Sequence, residues 1–156
     1  MSIINIMIEP SSVKQAHHSA IDYLSRREHA SQELHNKLLR KGFEEDVINR
    51  VLIQLRVDNL QSDERFAESY IRSRTNKGFG PLRIQQELRE RGITEELLQD
   101  MLESSDTDWI KLARQAKQKR FGQNLPQNQR ELAKQIRFMQ YRGFTSSQVK
   151  AALSGV

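Results

Sequence analysis

Residues 62–93 read SDERFAESYIRSRTNKGFGPLRIQQELRERGI, and their pattern decides the fold. An acidic start, Asp63-Glu64, leads into a segment whose apolar residues Phe66, Ala67, Tyr70 and Ile71 fall on one helical face. Lys77-Gly78-Phe79-Gly80 breaks that helix. Pro81 restarts it, because its fixed φ suits the first helical position and its missing N–H is not needed there. Ile84 and Leu88 give the second helix an apolar stripe, and Gly92 is the residue type that ends a helix in the left-handed region. Arg72, Arg74, Lys77 and Arg83 crowd around the break. Such a turn can present charge to a phosphate or an acidic partner, or it can be a turn whose charges only solvate it.

Working outward, the glycine of this stretch proves to be one of three. Leu38-x-x-x-Gly42-Phe43, Leu88-x-x-x-Gly92-Ile93 and Met139-x-x-x-Gly143-Phe144 share one pattern. Apolar residues recur beyond each glycine, first as Ile48, Leu98 and Val149, then as Leu52, Leu102 and Leu153. The chain is therefore read as an all-α protein of three tandem three-helix, helix-turn-helix-like repeats. The expected boundaries are 1–12 for a tail, 13–61, 62–105 and 106–156. In the first repeat Val13, Ala16, Ala20, Tyr23 and Leu24 form a stripe, and Ser31 is the expected cap of the next helix. Thr145-Ser146-Ser147-Gln148 is a capping box before the last helix. A unit of this size buries too little surface to be secure alone, so an elongated, curved stack is expected.

Composition agrees with thin helical layers, since 37% of the residues are hydrophobic and 29% charged. The chain has no cysteine, which excludes disulfides and thiolate metal sites and suits a reducing cytoplasm. The apolar run Ile3–Ile8 is too short to span a membrane and lacks the basic lead of a secretory signal. Net charge is +5 but uneven, because residues 106–156 hold ten basic and three acidic side chains. Lys111, Arg114, Lys117 and Arg120 recur every third residue there and are read as a basic helical stripe. A polyanion or an acidic protein surface is the natural partner of such an end.

The central stretch resembles the RecX family, regulators of the bacterial RecA recombinase. The resemblance rests on Asp63, Arg65, Phe66 and Ala67, then Lys77, Gly78, Gly80, Pro81, Arg83 and Ile84, then Glu87, Leu88, Gly92 and Ile93. YLSRREHASQEL, beginning at Tyr23, is similar to the family's first-repeat pattern. The resemblance covers about residues 15–153 and is weakest in the last third. It implies a cytoplasmic, monomeric regulator that binds the RecA nucleoprotein filament and mostly inhibits its recombinase, ATPase and coprotease activities. Weak non-specific contact with single- or double-stranded DNA would be a secondary property.

No catalytic set is found in the sequence, and no cofactor or metal is expected. KGFGPLRI lacks the glycine–lysine–hydroxyl ending of a nucleotide-binding loop. His29 and His35 lie six residues apart, which does not place them on one helical face. Glu44-Glu45-Asp46 and Glu95-Glu96 complement helix dipoles at helix starts. The candidate contacts for RecA or DNA are therefore Arg72, Arg74, Lys77 and Arg83 at the turn, and Lys111, Arg114, Lys117 and Arg120 on the helix. The competing reading is a non-specific DNA-binding protein built of helix-turn-helix modules. Against it, the helices after the first two repeat glycines start acidic, and phosphate repels them.

Overall fold

The structure, a computed structural model, describes residues 10–154. Among them are nine α-helices and no strand. In chain order these are α1 (Pro10–Arg26), α2 (Ser31–Arg40), α3 (Glu45–Val57), α4 (Asp63–Asn76), α5 (Pro81–Glu90), α6 (Glu95–Glu103), α7 (Trp109–Phe121), α8 (Gln129–Arg142) and α9 (Ser146–Leu153). They form three three-helix modules, as the repeat pattern predicts. Gly42, Gly92 and Gly143 all have positive φ, of 93°, 82° and 99°, the region that disfavours a Cβ. The expected N-terminal tail lies outside the described residues up to position 9, and α1 begins at Pro10 rather than near Val13.

In the first module, α1 contributes Ala16 and Ala20, α2 Leu34 and Leu38, and α3 Val47, Ile48, Val51, Leu52 and Leu55 to one buried cluster. Small residues on α1 let the other two helices approach closely. The third module gathers Ala113 and Ala116 of α7, Met139 and Phe144, and Val149 and Ala152 of α9, with Trp109 packed against them. In the second module Phe66, Ala67, Ile84, Leu88, Ile93 and Leu98 are buried, while Leu97, Met101 and Leu102 are only half-covered. Fully covering one such side chain stabilises by about 1.5–3 kcal/mol.

Helix starts follow two different rules. α6 and α9 have local caps: Thr94 accepts from the Leu97 N–H, and Thr145 and Gln148 form the expected capping box. α2 does not. Its cap residue is Ala30, one position before the expected Ser31. The Ser31 N–H instead donates to Oδ1 of Asp63 at 2.8 Å, and the Ala30 N–H donates to Glu33 at 3.2 Å. Arg65, two residues after Asp63, donates to Glu28 at 3.2 Å and to Asn59 at 2.9 Å. The Asp-x-Arg start of α4 is thus a clamp on the entry to α2.

The described chain separates into two compact units. One comprises the residues up to Ser69 with Arg91–Ile93, and the other Tyr70–Glu90 with the residues from Thr94 onward. The division falls within α4. Its start is tied to α2 through Asp63, which belongs to the first unit.

The repeat register yields a direct test. Leu38, Leu88 and Met139 are 0%, 1% and 0% exposed, each four residues before its glycine. Truncating each to Ala is expected to destabilise by about 2–5 kcal/mol in urea titrations. A change near zero at two of the three would show that the repeats are misaligned.

Candidate functional site

The Lys77–Arg83 turn is built around Phe79. The Gly80 N–H donates to the carbonyl of Arg142 at 2.7 Å, and the Leu82 N–H to the carbonyl of Gly143 at 2.9 Å. The carbonyls at the end of α8 therefore satisfy free N–H groups at the start of α5, which need partners from outside their own helix. Glycine is required at both sides of this contact. A Cβ on Gly80 would lie 2.5 Å from backbone atoms of Gly143 and Phe144, and one on Gly143 would lie 2.4 Å from the Arg83 Cβ. Arg142 closes the joint by donating to the Lys77 carbonyl at 3.0 Å.

Three guanidinium groups gather on the Phe79 ring: Arg74 at 3.9 Å, Arg83 at 4.4 Å and Arg142 at 4.9 Å. A cation–ring pair contributes about 0.5–1 kcal/mol when exposed and about 2 kcal/mol when desolvated, and these groups are half-buried. Glu87 balances their charge. It accepts from Tyr70 at 2.5 Å, Arg74 at 2.7 Å and Arg83 at 3.1 Å. Burial alone would raise the Glu87 carboxyl, but these three hydrogen bonds outweigh it and hold the group below the usual carboxylate range. The Arg83–Glu87 pair is the one that i,i+4 spacing predicts.

The eight basic residues singled out from the sequence therefore divide. Arg74 and Arg83 are engaged in the joint, whereas Arg72 and Lys77 are exposed. On α7, Lys111 and Arg120 are exposed, Arg114 is half-buried and donates to the Ala151 carbonyl at 3.1 Å, and Lys117 is buried. These four do not form one exposed stripe. Three residues turn a helix about 60° short of a full revolution, so Lys111 and Arg120 point about 180° apart.

The structure assembles a different constellation. A cleft of about 410 Å³ brings Lys77 of the turn together with Lys119 and Arg120 of α7 and Arg142 of α8. Leu112, Ala116 and Phe138 supply its buried or half-buried floor, and Thr75, Asn76, Gly78 and Gln115 complete the lining. No carboxylate lines it among the described residues. Lys119 and Arg142 escape the sequence reading, since neither lies on the every-third-residue run nor beside the Gly-x-Gly turn. A larger concavity of about 920 Å³ lies in the first unit, lined by groups such as Gln32, His35, Asn49 and Asn59, with Arg56 and Asp63 of opposite charge. It shows no comparable charge selection. Among the described residues no group of three or more His, Asp or Glu could hold a metal ion, and no helix is long and apolar enough to cross a membrane.

Family models for the first, second and third three-helix domains of RecX match residues 16–55, 62–102 and 106–153. The chain belongs to the RecX family. Among similar relatives, the regulatory protein RecX of Halorhodospira halophila is 42% identical over 134 residues, covering 86% of this chain and 83% of its own. That of Vibrio parahaemolyticus is 40% identical over 136 residues, covering 87% and 88%. A crystal structure of RecX from Lactobacillus salivarius shares the fold with a TM-score of 0.78 at 21% identity, over 92% of this chain and 96% of that one. A second RecX crystal structure superposes with a TM-score of 0.77 at 27% identity, over 89% and 71%. The RecX resemblance read from the central stretch is thereby shown, and the family is one of regulatory proteins.

Two variants test the joint. Gly80→Ala forces a Cβ into backbone that cannot swing aside, and a loss of about 1–3 kcal/mol is expected in urea unfolding. Glu87→Gln bears on pH. A carboxyl held low in the folded state stabilises fully above its unfolded pKa and loses that contribution as pH falls through the folded value. The wild type should therefore lose stability more steeply than Glu87→Gln as pH drops below about 4.5. Equal acid slopes in the two proteins would show that Glu87 is not held by the arginines.

Proposed function

We propose that this chain binds the RecA nucleoprotein filament and modulates, mostly by inhibition, its recombinase, ATPase and coprotease activities. It would thereby regulate DNA repair and recombination from the cytoplasm, as a monomer and without chemistry of its own. The single observation that carries the reading is membership of a family of regulatory proteins, across all three modules. The basic cleft suits it, because four cations with no lining carboxylate present a uniform field to an acidic surface. Of the residues first singled out, Lys77 and Arg120 are the proposed contacts within that cleft, with Arg72 and Lys111 exposed elsewhere. Arg74, Arg83, Arg114 and Lys117 are proposed to act through the fold.

The reading as a DNA-binding helix-turn-helix protein draws support from the basic third module. Its weakness lies in α3 and α6, whose first turns carry Glu45 and Asp46, and Glu95 and Glu96. Those carboxylates would face phosphate where such modules place recognition residues. Non-specific DNA contact is kept as a secondary property.

The test is addition of the protein to RecA filaments already formed on single-stranded DNA, with ATP hydrolysis and filament length followed together. Slowed hydrolysis at substoichiometric or near-equal amounts is expected, although no bare DNA is available for competition. Suppression only when the protein is added before RecA would favour the DNA-binding reading. Lys77→Gln with Arg120→Gln should weaken the inhibition at unchanged stability, because exposed charges contribute little to folding.

A further inference from the structure

The cleft pairs its charge with a feature that a purely electrostatic contact would not need. Its rim carries Lys77, Lys119, Arg120 and Arg142, and its floor is apolar, formed by Leu112 and Phe138 with the Ala116 methyl. Cations around an apolar floor fit a ligand that alternates carboxylates with a hydrophobic side chain. A single strand of nucleic acid would meet the same rim with its phosphates and would use the floor by stacking a base. The ring available for stacking is already occupied. The Arg142 guanidinium lies over Phe138, 5.0 Å from its centroid, and Phe121 packs against Phe138 at 5.3 Å with the planes at 89°. With Phe138 already engaged by Arg142 and Phe121, the floor suits contact with an apolar side chain better than the stacking of a base.

We infer that this cleft is a docking site for a short acidic peptide segment of a protein partner, anchored by one or two apolar side chains between flanking carboxylates. The inference rests on the regulatory reading for the identity of the partner, but not for the chemistry of the site. Arg142 is fixed in place by the Lys77 carbonyl and two rings, so its charge is in position before the ligand arrives. Lys119 and Arg120 are exposed at the end of α7, with the Arg120 guanidinium 5.6 Å from the Phe121 ring centroid, and both line the cleft where carboxylates would meet them.

The probe is a fluorescein-labelled ten-residue peptide of Glu and Asp with Leu-Phe at its centre, titrated into the full chain by anisotropy. Two controls accompany it, the same peptide with Ser-Ser at the centre and oligothymidylate of equal length. Saturable binding of the Leu-Phe peptide is expected, at least about tenfold tighter than its Ser-Ser counterpart, whose apolar burial is missing. Lys119→Glu with Arg120→Glu should abolish it. The variant's urea midpoint should match that of the wild type, which separates loss of the site from misfolding. Equal affinity for the Leu-Phe and Ser-Ser peptides would overturn the proposal, as would binding untouched by the charge reversal. Oligothymidylate binding more tightly than peptide, and lost in the same variant, would assign the cleft to nucleic acid instead. The same proteins are run on RecA filaments. Peptide failure beside intact filament inhibition overturns only the cleft assignment, whereas wild-type protein without effect on filaments overturns the regulatory reading and leaves the peptide result to stand by itself.

Discussion

The Gly80 N–H pointing at the Arg142 carbonyl, 2.7 Å away, is the contact on which the second unit depends. A helix leaves its first N–H and last C=O groups without internal partners, and burying them unpaired costs about 1–3 kcal/mol each. Here the end of α8 and the start of α5 cancel each other's deficit, and their dipoles meet with opposite partial charges. The contact is possible only because Gly80 and Gly143 lack side chains. Pro81 then fits without loss, since its ring nitrogen has no hydrogen to leave unsatisfied. The Lys-Gly-x-Gly-Pro run is therefore explained by backbone geometry before any ligand is considered.

That joint also determines which arginines remain available. Arg74 and Arg83 are drawn to Phe79 and Glu87, where removing the single carboxylate would leave clustered like charges half out of water. Lys77 sits two residues from the same ring but has no part in the stack, and it faces the cleft with Arg142. Position in sequence does not separate these roles. The distinction comes from where Glu87, on the next helix, places Oε1, which accepts from both arginines.

Much of the fold was legible because it is local. The three glycines, the apolar offsets beyond them, the Pro81 restart and the Thr145 capping box all act within about ten residues of chain. What escaped acts at long range. Asp63 caps α2 from 32 residues away, so Ser31 looked like the cap although its own backbone is the group being capped. The run from Lys111 to Arg120 looked like a stripe because a three-residue spacing resembles helical periodicity over one step. Over three steps it rotates half-way round, burying Lys117 and turning Arg114 toward the last turn of α9. Lys119 and Arg142 carried no sequence signal, because the cleft exists only once α7, α8 and the turn are packed together.

The cleft and the joint share residues, and this bears on how tightly the site can hold a ligand. Association costs free energy for every side chain it must order, roughly 0.5–1.5 kcal/mol for a long flexible one. Arg142 incurs little of that cost, being held by the Lys77 carbonyl and the rings of Phe79 and Phe138. Gly78, which also lines the cleft, has a φ of 85° between Lys77 and the stacked Phe79, so the backbone there is defined by the same packing. Lys119 and Arg120 are the opposite case, exposed and held at most by the contact of Arg120 with the Phe121 ring, suited to attracting an acidic surface over the Debye length of about 8 Å at physiological salt. One wall is thus held in place because the fold needs it, and the other is exposed. A ligand that fits the held wall gains specificity there, while the exposed wall mainly sets how fast it arrives.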